Sequence, residues 1–159
     1  MLEEDDKTLY VAYFQRNSDY YIKQLDHYNE KGRCTFNVSA FFLGIFWMAY
    51  RKMYIHILMI FGIVYAEIAI EDALLNYNII SLSTYEIINY ISMFFWPSIL
   101  GFFSNKLYIL KSKKDVSKIL IEKSNSDQVM ELVSKKGGTN QFAPLILLLI
   151  LILITYLGL

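Results

Sequence analysis

The last part of the chain, residues 142–159, reads FAPLILLLILILITYLGL, eighteen residues without a charge and apolar around the whole circumference of a helix. A helix in a soluble protein shows one apolar stripe, because only one face reaches a core; a helix greasy on every side asks for lipid or complete burial. A chain of 159 residues has room for one domain, and 55% apolar with 19% charged is too apolar for an ordinary soluble fold of that size. Two further runs point the same way. Residues 53–70 carry His56 and Glu67 near their two ends, and eighteen residues of helix extend about 27 Å, close to the ~30 Å hydrocarbon thickness. Residues 87–103, interrupted by Trp96 and Pro97, lengthen to 85–104. The expectation is an all-α integral membrane protein with three transmembrane helices, 53–70, 85–104 and 142–159.

Charge placement orients these spans. All fifteen basic residues lie in segment 1–35, in the Arg51–Lys52 pair, or in segment 105–141, whereas the loop 71–86 has three acids and no Lys or Arg. Under the positive-inside rule the loop is outside and the basic segments are cytoplasmic. Residues 36–50, FNVSAFFLGIFWMAY, are short for a span, and a crossing would strand Lys31 and Arg33 outside. They are therefore expected to form one partially inserted helix, interfacial or re-entrant, in a membrane domain covering 36–159. Burying Arg51 and Lys52 at mid-bilayer would cost about 5–7 kcal/mol, so both belong at the headgroup level, flanked by Tyr50 and Tyr54 as interfacial anchors.

Residues 1–35 read as a cytoplasmic amphipathic helical segment. Asp5 or Asp6 caps a first helix with Leu9, Tyr13 and Phe14 at helical spacing. Asn17 ends it; Ser18 caps a second, with Tyr21, Leu25 and Tyr28 on one side, which stops near Gly32. Stripes of this kind are expected to pack on the protein's own helices or on the bilayer surface. In the basic connection 105–141, NKLYILKSKKDVSKILIEK carries Leu107, Leu110, Ile119 and Leu120 among lysines and prolongs the third span. SNSD caps a short helix over 127–133, and KKGGTN leads flexibly to the last span, where Thr139 or Asn140 caps and Pro144 occupies the first turn.

No catalytic set emerges. His27 and His56 have no carboxylate or cysteine at metal spacing, and there is no Ser-His-Asp arrangement, Walker loop or dinucleotide fingerprint. The reading is of a protein that is not an enzyme, with no cofactor and no metal. Cys34 is expected to be an inert small apolar residue in a reducing compartment. The acidic start MLEEDDKTLY does not resemble a cleaved leader. Ser39 and Ser92 read as caps or helix-packing residues. Candidate intramembrane functional residues are Glu67, His56 and Pro97, each with a plainer rival: Glu67 can reach outer water, and Pro97, which removes the donor to the Met93 carbonyl, can serve packing geometry alone. Between Lys106 and Lys136 eight lysines face four acids. Candidate lipid-headgroup contacts are Arg51, Lys52, Lys106, Lys111, Lys113, Lys114, Lys135 and Lys136, and the N–H groups of SKKGGTN can cradle a phosphate or serve as a hinge.

Three segments, FQRNSDYYIKQL, FNVSAFFLGIFWMAYRKMY and GFFSNKLY followed later by GGT, resemble a family of small bacterial inner-membrane proteins catalogued as domain of unknown function twenty-six twenty-eight. The residues that carry the resemblance are Asn17, Asp19, Tyr20, Tyr21, Phe41, Gly44, Phe46, Trp47, Tyr50, Arg51, Lys52, Met53, Asn105, Tyr108, Gly137 and Gly138. The family usually has Trp after the Asn and Pro before the Phe-Trp pair, where this chain has Val38 and Ile45; with Ile45, residues 39–50 read as one continuous tilted helix. The resemblance implies an all-helical protein of the bacterial cytoplasmic (inner) membrane and lends no activity; the apolar runs and the charge placement make it multi-pass with its N-terminus cytoplasmic. The expected role is a non-enzymatic accessory or interaction protein, with a small transporter or channel component and an immunity protein against a membrane-active toxin as alternatives. Its expected partners are anionic lipids and a second copy or a partner membrane protein, not nucleic acid.

Overall fold

The computed structural model describes residues 4–122 and 126–158, and among these every regular element is helical. In chain order they are α1 (Glu4–Phe14), α2 (Ser18–Lys31), α3 (Val38–Leu43), α4 (Ile45–Tyr50), α5 (Tyr54–Asn76), α6 (Leu82–Glu122), α7 (Ser126–Lys136) and α8 (Ala143–Leu157).

Local chemistry explains most of the breaks. Gln15 and Asn17 adopt left-handed φ of 51° and 63°, which turns the chain between α1 and α2. Asn17, not Ser18, is the cap residue of α2, while Asp5 and Asp6 lie inside α1 instead of capping it. Gly32, at φ 67°, ends α2 with its N–H on the Tyr28 carbonyl. Residues 39–50 are not the continuous helix expected: Gly44, at φ 53° and ψ −125°, splits them into α3 and α4. The break needs no proline, because glycine alone reaches this backbone region without a side-chain clash. Asn37 caps α3, its side chain accepting from Ala40 N at 2.9 Å. Asn140 caps α8, accepting from Phe142 N and Ala143 N at 3.0 and 3.1 Å, with Pro144 in the first turn as expected. The cap expected from SNSD falls partly on residues outside the described ones. α6 runs unbroken for 41 residues through Pro97, so the third apolar run and the lysine-rich segment after it are one rod.

The core sits at one end of that rod. α1, α2, α3 and α7 gather around the second half of α6, and α4 joins them, burying Tyr13, Phe14, Tyr21, Leu25, Trp47, Met48, Tyr108, Ile109 and Val133. The two N-terminal helices are thus part of a head that includes α6 and α7. The face α6 turns inward is Ser104, Asn105, Tyr108, Ile109, Ser112 and Val116, a stripe at helical spacing. Of the apolar residues set among its lysines, Leu107 and Ile119 pack against the core, whereas Leu110 and Leu120 are exposed. Rings set the packing: Phe14, Tyr21 and Tyr108 lie 5.0–5.6 Å apart between centroids, within the range of favourable aromatic contact.

The other end is the reverse. α8 has no buried residue, and α5 and the first half of α6 expose Leu58, Ile63, Ile87, Ile91 and Phe94. α6 is long and apolar enough to cross a membrane. The three spans expected are not supported: among the described residues α6 is the one helix that meets both requirements, since α5 carries Glu67, Glu71 and Asp72 along its 23 residues and α8 has the composition but ends after 15.

Candidate functional site

The turn between α4 and α5 holds the head together. Arg51 and Lys52 follow one another there, and the left-handed φ of Lys52, 55°, sends the two side chains to different helices. Arg51 is 2% exposed. Its Nη1 donates to the Phe14 carbonyl at 3.2 Å and its Nη2 to that of Arg16 at 3.0 Å, at the end of α1. Lys52 Nζ donates to the Lys135 carbonyl at 3.2 Å and to that of Gly137, at the end of α7. The final carbonyls of a helix lack intrahelical donors and carry the negative end of its dipole, so adjacent cations close two helices at once.

The Arg51 guanidinium also lies 4.4 Å from the ring centre of Tyr21, 5.4 Å from Tyr108 and 5.5 Å from Tyr50. A weakly hydrated, planar cation tolerates such a cage of carbonyls and ring faces better than an ammonium does. Burial raises the phenol pKa of Tyr21 and Tyr108 although Arg51 pulls both down, so the rings stay neutral. The Arg51 Nε finds no acceptor among the described residues.

Further ties fix the same junction. Gly138 N donates to the Tyr13 carbonyl at 2.7 Å, Asn140 N to the Tyr50 carbonyl at 2.8 Å, and Gln15 Nε2 to the Ser134 carbonyl at 2.7 Å. A Cβ at Gly137 would overlap the Tyr13 carbonyl. Gly137 and Gly138 are therefore buried packing residues whose N–H groups bond to Val133 and Tyr13 carbonyls, which rules out the phosphate cradle entertained for them. Tyr13 donates to Asp115 at 2.7 Å and Lys111 reaches both, at 2.7 Å to the phenol and 2.8 Å to the carboxylate. Burial, then the bond to Asp115, pushes the Tyr13 phenol far up.

One turn along the same inward face of α6 from Tyr108, the buried amides of Asn37 and Asn105 meet at 2.8 Å; Asn105 also donates to Tyr20 Oη at 2.6 Å and the Thr35 carbonyl at 3.0 Å, while Asn37 N donates to the Gly101 carbonyl at 2.7 Å. Beside this network lies a cavity of about 720 Å³ lined by Arg16, Asn17, Tyr20, Tyr21, Phe46, Trp47, Tyr50 and Arg51, with Pro144 at its edge. A second cavity, about 620 Å³, lies around Lys52, His56, Lys111, Lys114 and Lys136. A third, about 240 Å³, separates α5 from α6 at Glu67, whose carboxylate accepts from Ser92 Oγ at 2.8 Å and Trp96 Nε1 at 2.6 Å.

The expected headgroup contacts therefore divide. Arg51 is a correction: it is inside, because two helix ends and three rings compete for it. Lys52 and Lys106 are half-buried, Lys111 is paired with Asp115, and Lys113 is held by Asn29 Oδ1 at 2.9 Å over the Tyr28 ring. Lys114, Lys135 and Lys136 are exposed. Of the intramembrane candidates, Glu67 and Pro97 adjoin through Trp96, while His56 sits eleven residues away at the other end of α5, roughly 16 Å along the helix. Asp19 is exposed in the first turn of α2, and Phe41 and Phe46 are half-buried. The residues that carry the resemblance, scattered from Asn17 to Gly138, converge on the head.

One family model matches residues 7–114. The chain belongs to the family described as protein of unknown function (DUF2628). No curated protein and no solved structure matches it. The match covers α1 to most of α6 and stops short of α7, yet Lys52, inside it, closes α7, so the family region and the segment beyond it share one core.

Proposed function

We propose that this member of the family is a non-enzymatic accessory protein of the bacterial cytoplasmic membrane, with its head and N-terminus inside and α5, the first half of α6 and α8 inserted. The single observation that carries the reading is α8: fifteen residues, apolar on every side and without a buried residue, attached to the head through α4. In water such a surface would be strongly unfavourable, at roughly 25 cal/mol per Å² of apolar area. In a bilayer its sides meet lipid or another helix, and a short helix gains most from a neighbour. The lysines of the head and the turn then lie where anionic lipids attract them, and α3–α4 rest at the interface with Val38, Phe42 and Leu43 exposed.

The test is cysteine cross-linking in native membranes at Leu149 and Ile152, both exposed on α8. A stoichiometric adduct with a second copy or one partner protein is expected. A monomer that never cross-links, or a protein released by alkaline carbonate, would overturn the reading.

A second reading, a small transporter or channel component, draws on the cavity at Glu67, where Asn89, Ser92 and Glu71 also converge. Flux through proteoliposomes that is lost in Glu67→Gln supports it; no flux in either protein removes it and leaves Glu67 as a lock between α5 and α6.

A further inference from the structure

The cavity of about 620 Å³ at the start of α5 has an unusual charge balance. Lys52, Lys111, Lys114 and Lys136 line it together with His56, and Asp115 is the one carboxylate among its lining residues. Asp115 is already engaged, bonded by Lys111 and by the Tyr13 phenol. Lys52 spends its donors on the end of α7. Lys114 and Lys136 remain exposed at the rim, and each comes from a different helix, α6 and α7. Cations gathered from three elements repel one another, as the lowered pKa of Lys52 reflects, where burial acts first and Lys111 second. A fold that assembles such a site without an equal number of acids is matched to an anion.

Two further features specify which kind. The wall includes the first turn of α5, whose cap residue Met53 offers no side-chain bond to the leading N–H groups, so the helix end adds partial positive charge to the lysines. The rim also carries Ile55 and Leu110, both exposed, and Tyr54, a phenol that suits a water–lipid boundary. Cations below and apolar side chains at the lip are the chemistry of an anionic headgroup with its acyl chains attached.

We propose that this cleft binds a phosphate oxyanion, supplied by an anionic phospholipid, with Lys114 and Lys136 as its free cationic ligands and Lys52 and Lys111 as fixed charges behind them. The proposal rests on the membrane placement given above and narrows it from a diffuse basic surface to one cleft.

The full chain, purified in mild detergent, is titrated with short-chain phosphatidylglycerol, short-chain phosphatidylcholine and inorganic phosphate, following retained lipid by native mass spectrometry. Preference for phosphatidylglycerol is expected in the unaltered protein. The double variant Lys114→Gln/Lys136→Gln should lower that preference about 30-fold, since each lysine near a lipid phosphate contributes about fivefold. Lys23→Gln/Lys31→Gln removes the same charge from exposed positions on α2, away from the cleft, and should leave it unchanged. Equal losses in the two double variants, or no preference in the unaltered protein, would overturn the cleft. Binding of inorganic phosphate alone with the same lysine dependence would assign the oxyanion to a soluble phosphate and overturn the lipid source. Alkaline carbonate extraction of the same variants reads membrane insertion separately, so a failed cleft and a failed membrane placement give different results.

Discussion

Arg51 offers the sharpest test, because two descriptions of the residue predict opposite phenotypes. As a headgroup ligand, its loss would weaken lipid binding and leave the fold intact. As the buried clasp of α1, its loss strands the Phe14 and Arg16 carbonyls, each left without the donor now at 3.2 or 3.0 Å. An unsatisfied buried acceptor costs about 1–3 kcal/mol, and a desolvated cation over aromatic faces contributes about 2 kcal/mol. These contributions overlap, so their sum puts the expected destabilisation of the head by Arg51→Ala at about 3–5 kcal/mol. Arg51→Lys keeps the charge but not the planar fork, and a single ammonium cannot hold both carbonyls in the same cage; about half the loss should remain. The assay is a guanidinium titration in mild detergent followed by tryptophan fluorescence. Trp47 reports the head directly, being buried with its ring 6.0 Å from Tyr108. A midpoint for Arg51→Ala corresponding to less than about 1 kcal/mol of destabilisation, accompanied by weaker vesicle binding, would refute the clasp and return the residue to the membrane surface.

Three other outcomes follow from named contacts. Gly137→Ala should destabilise by about 2–3 kcal/mol and more than Gly138→Ala, because its new methyl meets the fixed Tyr13 backbone, whereas at Gly138 the cost is a left-handed φ of 69°, about 1 kcal/mol, and displacement of the Gln15 amide from Ser134; thermal melts of the pair give the order. Asn105→Ala should cost about 2–3 kcal/mol by the same titration, since it leaves the Asn37 amide, the Thr35 carbonyl and Tyr20 without their shared partner. Burial pushes the Cys34 thiol up from about 9 to about 11 although Lys106 pulls the other way. A folded state that holds its proton more tightly than the unfolded chain loses stability as pH rises from about 9 towards 11. Alkylation of the native protein should therefore climb about tenfold per pH unit through pH 9 and level off near 11, while in denaturant it levels off near 9; identical profiles would refute the burial.

Legibility varied with the range of the interaction. The turn at Asn17, the stop at Gly32, the Asn140 cap and the prolongation of α6 are written in neighbouring residues and were readable as such. The break at Gly44 differs from the continuous helix expected, because a glycine inside an apolar helical run signals either a packing position or a turn, and only its backbone angles, φ 53° and ψ −125° here, tell them apart. The inward face of α6 is only partly written in hydropathy: of the apolar residues among its lysines Leu107 and Ile119 pack against the core and Leu110 and Leu120 do not, while Tyr108, Asn105 and Ser104 fill the head. Nothing in the order of residues pairs Asn37 with Asn105, or Lys52 with the end of α7. The Lys111–Asp115 pair, four residues apart on one helix, carried a local signal; its third member, Tyr13, did not.

The sequence by itself determined helical class, family and the placement of apolar runs, because hydrophobic periodicity and composition are properties of contiguous residues. Tertiary structure decided what the charges do. A cation's role depends on which carbonyls, rings or water surround it, and those neighbours arrive from segments up to 98 residues away, as Lys111 and Tyr13 show. Arg51 and Lys52 look alike as letters beside a membrane run; two helix ends brought together by packing turn one into a buried clasp and leave the other at the back of a basic cleft.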